Sequence, residues 1–401
     1  MKTWTFQLRF LNPAFLGNAD QTGQWRTPPI KALLRQWWRV AYAAEAGFAV
    51  DVVAMRTDEG RLFGTAADTG HSNQSRLRIR LDNWNEGKLK SWAGLDVGQV
   101  VHPEVKQPIG PHLYLAYGPL SYQQRGTVLA KDKGQAAIEA GEVSTLRLAL
   151  MPDTKDASFV PRESQRIELA LSLMNRFGTL GGRSRNGWGS FELLPANGTA
   201  QLPAVLDPMA LRPWQDAFAL VWRHVLDWPH AIGCNGSAPS APLIWQTTET
   251  FADWKLAMRR LAEIKIGLRT QFLFPSTGPT WALQPLQRHW LSYPVTTHKV
   301  DDTVWPKDAR LPNSLRFRLR RDADDPTRLR AVIFHVPCLP PAQFKPDLAA
   351  IVPVWQAVHG LLDELCKDPP SDRRYDTIAN PARQSKLKPQ LDGIRLERVL
   401  S

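Results

Sequence analysis

The chain has 401 residues, enough at about 150 residues per domain for roughly two or three domains with full cores. Lys and Arg number 50 against 38 Asp and Glu, a formal charge of +12, so a polyanion is the first partner to consider. Hydrophobic residues at 43% and charged residues at 22% exclude a wholly disordered or collagen-like chain.

The N-terminus, Met1 to Phe10, alternates polar and apolar residues without the apolar run of a signal peptide and predicts a first strand over 3–11. A turn-rich loop, Leu11 to Asp20, leads to Arg26-Thr27-Pro28-Pro29. There Thr27 can cap a helix over 28–45 with Pro28 at its first position, and Ile30, Leu33, Leu34, Trp37 and Ala41 form its apolar face. From 48 to 160 the pattern is mostly strands and loops, with Arg76 to Leu81 alternating strictly and a further strand at Val143 to Leu150. A second helix enters at Pro161 to Glu163, buries Ile167, Ala170, Leu171 and Met174, and stops at Gly178. A glycine-rich loop and a short strand, Ser190 to Leu194, complete a β-α-β-β-α-β order that fits a ferredoxin-like unit with large insertions.

The aperiodic stretch Pro195 to Pro208 reads as a domain boundary. Beyond it, helices are expected at Trp214 to Trp228, 251–266 and 348–366, with paired strands at Leu315 to Arg321 and Leu329 to Val336. The polar, basic tail after Asp368 reads as an extended arm or a loosely packed closing segment. The expected class is α+β: an N-terminal domain over 1–200, a second similar domain over 201–367 and a basic tail over 368–401.

Three features carry the charge. On helix one, Lys31, Arg35 and Arg39 follow at i, i+4 and i+8, with Arg26 upstream and Trp38 beside them as a stacking surface, so this face reads as a phosphate rail or as a plain solvated helix face. In the loop, Gly181, Gly182, Gly187 and Gly189 permit close backbone approach while Arg183, Ser184, Arg185, Asn186 and Trp188 supply cations, polar groups and a ring. The loop follows a helix and precedes a strand, so it is not a dinucleotide fingerprint, and it lacks the Gly-Lys-Ser/Thr ending of a P-loop. On two strands Arg76, Arg78 and Arg80, and then Arg316, Arg318 and Arg320, alternate with apolar residues, predicting arginine-bearing sheet faces open to RNA or acidic protein, or charged edge strands.

Catalytic signals are weak. The histidines show no metal-ligand spacing and no nucleophile elbow occurs. His71, His102 or His112 with Tyr114 or Tyr117 could in principle supply metal-independent RNA cleavage, while the lone acids Asp20 and Asp68 give no Mg²⁺ pair. Cys234, Cys338 and Cys366 lie far apart, so neither a disulfide framework nor a zinc knuckle is indicated. With no membrane-length apolar run, the expectation is a cytoplasmic protein without metal or cofactor and without membrane attachment.

Three segments together resemble the RAMP superfamily of CRISPR-associated RNA-binding proteins. Asn12 to Asp20 followed by Arg26 to Arg39 is similar to the opening of the first RAMP subunits of type III-B Cmr effectors, and Arg61-Leu62-Phe63-Gly64 matches a short element that follows it there. Gly181 to Phe191 is similar to the superfamily's glycine-rich signature. The resemblance implies two ferredoxin-like, RRM-type domains, and a non-catalytic subunit of a ribonucleoprotein effector in antiviral defence. It would hold the 3′ region of the guide RNA and the paired target RNA beside other RAMP subunits. A guide-RNA-processing endoribonuclease is the alternative. The insertion over 64–142 and the tail match no motif.

Overall fold

The computed structural model describes the chain except residues 66–72, 124–125, 131–135, 197–201, 203–209, 220–228, 237–240, 275–280, 296–297, 369–380 and 400–401. Most of the expected boundary over 195–208, most of the helix expected at Trp214 to Trp228, and His71, Asp68 and His224 lie outside the described residues.

The N-terminal half runs β1 (Lys2–Phe10), α1 (Thr27–Ala44), α2 (Val52–Phe63), β2 (Leu77–Leu81), α3 (Pro111–Ala116), the hairpin β3 (Leu120–Gln123) and β4 (Gly126–Leu129), β5 (Val143–Leu150), α4 (Phe159–Phe177) and β6 (Phe191–Pro195). β2, β5, β1 and β6 pair in that order, antiparallel throughout, so the two strands joined through α1 are separated by a third. The pleat puts Trp4, Phe6, Leu8 and Phe10 into a core with α1 and α4. Thr3, Gln7, Arg78, Arg80 and Arg147 stay exposed on the other face. Two short helices interrupt what the sequence suggested were strands and loops. The Asp51 carboxylate caps α2 by accepting from the N–H groups of Val53 and Ala54 at 2.8 and 3.3 Å, and α3 opens on Pro111.

After the parallel pair β7 (Leu211–Pro213) and β8 (Ile232–Cys234), the second half runs β9 (Ile244–Thr247), α5 (Trp254–Thr270), the small parallel pair β10 (Trp281–Ala282) and β11 (Lys299–Val300), β12 (Leu315–Arg321), β13 (Leu329–His335), α6 (Leu348–Glu364), α7 (Pro381–Leu391) and β14 (Leu396–Arg398). Its sheet order is β12, β13, β9, β14. Counting only the strands of each main sheet and its two long helices, both halves thread a β-α-β-β-α-β chain through an antiparallel sheet in the same order. Two expectations change. The chain at 214–219 holds a 3-10 turn over Asp216–Ala219 after a short strand, and the tail folds back as α7 and as the edge strand β14, paired with β9.

The halves share their cores. On β13, Ala331 and Ile333 face the core of the second half, whereas Val332 and Phe334 face the core of the first, with the Phe334 ring 5.2 Å from Phe177 of α4. β12 lies in the same layer, and this corrects one reading of the sequence: Arg316, Arg318 and Arg320 do not form an open sheet face, because the face they share is pressed against the first half. Arg318 is 1% exposed, and its guanidinium donates to the carbonyl oxygens of Asn175 and Phe191 at 2.9 Å each and of Leu319 at 3.0 Å. Arg320 donates to the Gln246 side chain. Replacing Arg318 with Met should leave those carbonyls unmatched at the seam and lower stability by about 2–4 kcal/mol, read from the urea midpoint of the full chain.

Candidate nucleic-acid interface

The glycine-rich loop sits where the halves meet, and its glycines serve packing rather than an open phosphate track. Gly189 has φ +67°, and a Cβ there would stand 1.9 Å from the Leu180 carbonyl oxygen. Gly181, at φ +97°, leaves the same kind of gap, 2.7 Å, against the Phe15 carbonyl oxygen, and the Gly182 N–H donates to that oxygen at 2.8 Å. Asn12 holds the loop from beneath, its amide donating to Gly187 O at 2.8 Å and its side-chain oxygen accepting from Ser190 N at 2.9 Å. From the second half, Phe317 N donates to Arg185 O at 3.1 Å and Leu319 N donates to Ser190 Oγ at 2.8 Å. Gly187 faces Leu261 and Met258 of α5.

This anchoring leaves the polar side chains of the loop along an open cleft of about 680 Å³ between the halves. Arg183, Ser184, Arg185 and Asn186 line it from the loop, Tyr114 and Tyr117 from α3 and its end, Lys265 and Arg269 from α5, and Arg310 from the segment before β12. No carboxylate is among these lining residues. Arg183 Nε donates to Tyr117 O at 2.7 Å, and Lys265 Nζ donates to Asn186 Oδ1 at 2.6 Å beneath the Tyr114 ring. Burial, followed by the charges of Arg269 and Arg183, holds the Lys265 pKa well below the usual ammonium range. Uncompensated positive charge in a concave, half-desolvated site is what a phosphodiester chain neutralises.

The other sequence candidates divide. Arg78 and Arg80 are exposed as expected, and Arg80 stands in register with Arg147, a like-charged cross-strand pair on an open face. Arg76 is held by Asp153 at 3.2 Å and donates to Pro152 O at 2.7 Å. Arg26 donates to Gly17 O at 2.6 Å, which ties down the turn before α1. The helix-one rail is largely neutralised by Glu59 of α2. Arg39 reaches this carboxylate at 2.6 and 2.9 Å and Arg35 reaches it at 2.9 Å, while Lys31 lies half-buried next to Arg35. Neither tryptophan can stack on a base. Trp38 is buried and donates from Nε1 to Glu163 at 2.9 Å, and Trp188 is buried among Trp92, His112 and Trp254 with ring centroids 5.6–5.9 Å away. Of the histidines proposed for cleavage, His112 belongs to that aromatic box, where burial lowers its pKa, and His102 is buried outside the cleft.

Lys265, Arg269 and Arg310 were not singled out from sequence. The first two sit at i, i+4 on an amphipathic helix, a signal available but common, and Arg310 lies in a loop with no pattern around it. Among the described residues no group of His, Cys, Asp or Glu is placed to hold a metal ion, and no helix is long and apolar enough to cross a membrane.

Residues 7–192, from the first strand through the glycine-rich loop, match the model of the RAMP superfamily. Over this stretch, a little under half of its length, the chain is similar to the RAMP superfamily. The match ends two residues into β6, so it takes in α1, the insertion and the whole glycine-rich loop. No curated protein matches the sequence. Two solved structures are similar in chain path over 90% of this chain and 99% of theirs: a type III-B Cmr-beta bound to cognate target RNA and AMPPnP in the presence of ssDNA, at 11% identity and a TM-score of 0.47, and the type III-B Cmr-beta bound to cognate target RNA, at 10% and 0.46.

Glu59 makes the neutralised rail testable. Burial alone would raise its pKa, but the hydrogen bonds from Arg39 and then Arg35 outweigh that and hold it below the ordinary carboxylate value. Its contribution is therefore present above that ordinary value and fades as the pH falls through the lowered one. Glu59→Gln should cost about 3 kcal/mol at neutral pH and flatten the acid limb of the stability curve, measured by denaturant unfolding across pH.

Proposed function

We propose that this chain is a non-catalytic, RNA-binding subunit of a type III-B CRISPR (Cmr) effector, working in the cytoplasm beside other RAMP subunits and helping to hold guide RNA and target RNA. The observation that carries this reading is the acid-free cleft, in which the glycine-rich loop of a RAMP domain brings Arg183 and Arg185 together with Lys265, Arg269 and Arg310 of the other half. Five basic side chains with no carboxylate among the residues lining the cleft suit a backbone polyanion, and the exposed Tyr117 ring at the rim can take a base in place of the buried tryptophans. The exposed Arg78, Arg80 and Arg147 give a second basic surface on the opposite face of the first half's sheet, suited to the same polymer or to an acidic neighbouring subunit.

Binding through phosphates is salt-sensitive and weakly selective for sequence. Replacing both Arg183 and Arg185 with Ala should weaken binding of unrelated single-stranded RNAs to a similar extent and reduce the slope of log affinity against log salt by about 1–2, measured by fluorescence anisotropy. Unchanged affinity and slope would remove the loop from the binding surface.

Protonation offers an independent check. A phosphate beside Lys265 favours its charged form, against burial and the like charges of Arg269 and Arg183, so RNA binding should draw in a proton and weaken as pH rises. Calorimetry in buffers of different ionisation enthalpy reads that uptake directly, and Lys265→Met should abolish it.

A further inference from the structure

Beneath the cleft, and sharing Arg185, Leu311 and Pro312 with it, lies a smaller cavity of about 150 Å³ walled by both halves. Gln36 and Arg39 reach it from α1, Arg185 from the loop, His230 from the segment before β8, and Ser314, Arg316, Cys338 and Trp355 from the second half. No carboxylate is among its lining residues. Glu59 binds Arg39, while among the described residues no carboxylate pairs with Arg185 or Arg316. Arg185 makes one long contact, 3.4 Å, to Asn313 O.

Arg316 is the unusual member. Its Nε is buried with no hydrogen-bond partner, and no carboxylate meets its guanidinium among the described residues. Arg318, two positions along the same strand, shows how this protein treats a guanidinium that it buries for structure, with carbonyl oxygens around it. Desolvation, and then the charge of Arg185, push the Arg316 pKa down to about 9. The neighbouring Cys338 thiol is raised to about 12 by burial and stays neutral, so it supplies no counter-charge. The Ser314 hydroxyl is 2.9 Å from His335 Nε2, whose ring is stacked on Trp355 and bonded through Nδ1 to His359 at 3.0 Å, which fixes a neutral polar group at the cavity wall.

We propose that this cavity is an oxyanion site that takes one phosphate group, gripped by Arg316 and Arg185 with Arg39 and Ser314 at its edge. A guanidinium whose buried Nε lacks a partner is costly unless an anion completes it, and two adjacent guanidinium groups repel until an anion lies between them. The volume falls below the ~300 Å³ at which drug-sized ligand pockets begin, so a tetrahedral oxyanion fits and a nucleoside does not. The phosphate arrives either as part of a polynucleotide lying in the adjoining cleft, in which case the inference rests on the reading above, or as a free monoester, in which case it stands alone.

Thermal unfolding of the full chain with inorganic phosphate, against chloride at equal ionic strength, tests the site without RNA. Wild type should gain a phosphate-specific rise in Tm. Arg316→Met should start at a higher Tm than wild type, since it removes a cation whose buried Nε has no partner, and should show no phosphate-specific rise. Arg185→Gln, on an exposed residue, should bind phosphate about tenfold or more weakly by calorimetry. A wild-type Tm that phosphate raises no more than chloride does, or an Arg316→Met protein that phosphate still stabilises, would overturn the site. A short oligoribonucleotide separates the sources: weaker binding to Arg316→Met assigns the site to a backbone phosphate, and unchanged binding alongside a lost phosphate response assigns it to a free monoester. A wild type that responds to phosphate but binds no RNA would keep the site and remove the RNA reading.

Discussion

The structure depends on one act of burial, the pressing of the β12 and β13 sheet face of the second half onto the first. A β-sheet with helices on one side leaves its other side to be covered, and here α4 and the strand-entry segment of the first half cover it. Apolar residues of β13 complete a foreign core, and the Arg318 guanidinium answers backbone carbonyls that end a helix and start a strand in the other half. The seam is therefore specified both by area and by directed hydrogen bonds. Shape and polarity have to agree for it to close.

The cleft and the cavity are consequences of that seam. A glycine-rich loop becomes a rigid joint because a Cβ at Gly181 or Gly189 would strike the Phe15 or Leu180 carbonyl and Gly187 turns against α5 at φ +94°, and the arginines between those glycines are then aimed at fixed directions. The second half supplies the rest of the charge from α5 and from the segment before β12. Neither half alone holds the full set of cations, so in this chain an anion-binding surface and the contact between the halves are one structure.

Charge in this protein follows two regimes. Where a carboxylate is at hand, as Glu59 is for Arg35 and Arg39, or Asp153 for Arg61 and Arg76, cations are spent on holding elements together. Where none lies among the described residues lining the site, as around Arg183, Arg185, Arg269 and Arg316, positive potential accumulates in concave surfaces. Net charge alone does not distinguish these regimes; the distribution of acids does.

Much of this was legible along the chain. The alternation of Thr3 to Phe10, the apolar stripe of α1, the stop at Gly178 and the paired strands at 315–321 and 329–336 are local patterns set by the two-residue pleat and the helical repeat, and they fall within a few residues of the observed elements. The glycine-rich loop could be picked out because glycine spacing is written in sequence. What sequence could not decide was partnership. Trp38 and Trp188 read as free rings and the Arg316, Arg318 and Arg320 run as an open face, yet Glu163 and three other aromatic side chains lie against the rings, and Asn175 and Phe191 of the first half lie against Arg318. Lys265, Arg269 and Arg310 enter the cleft from far along the chain. Periodicity tells which residues share a face, and only the packing of distant segments decides whether that face meets water, protein or an anion.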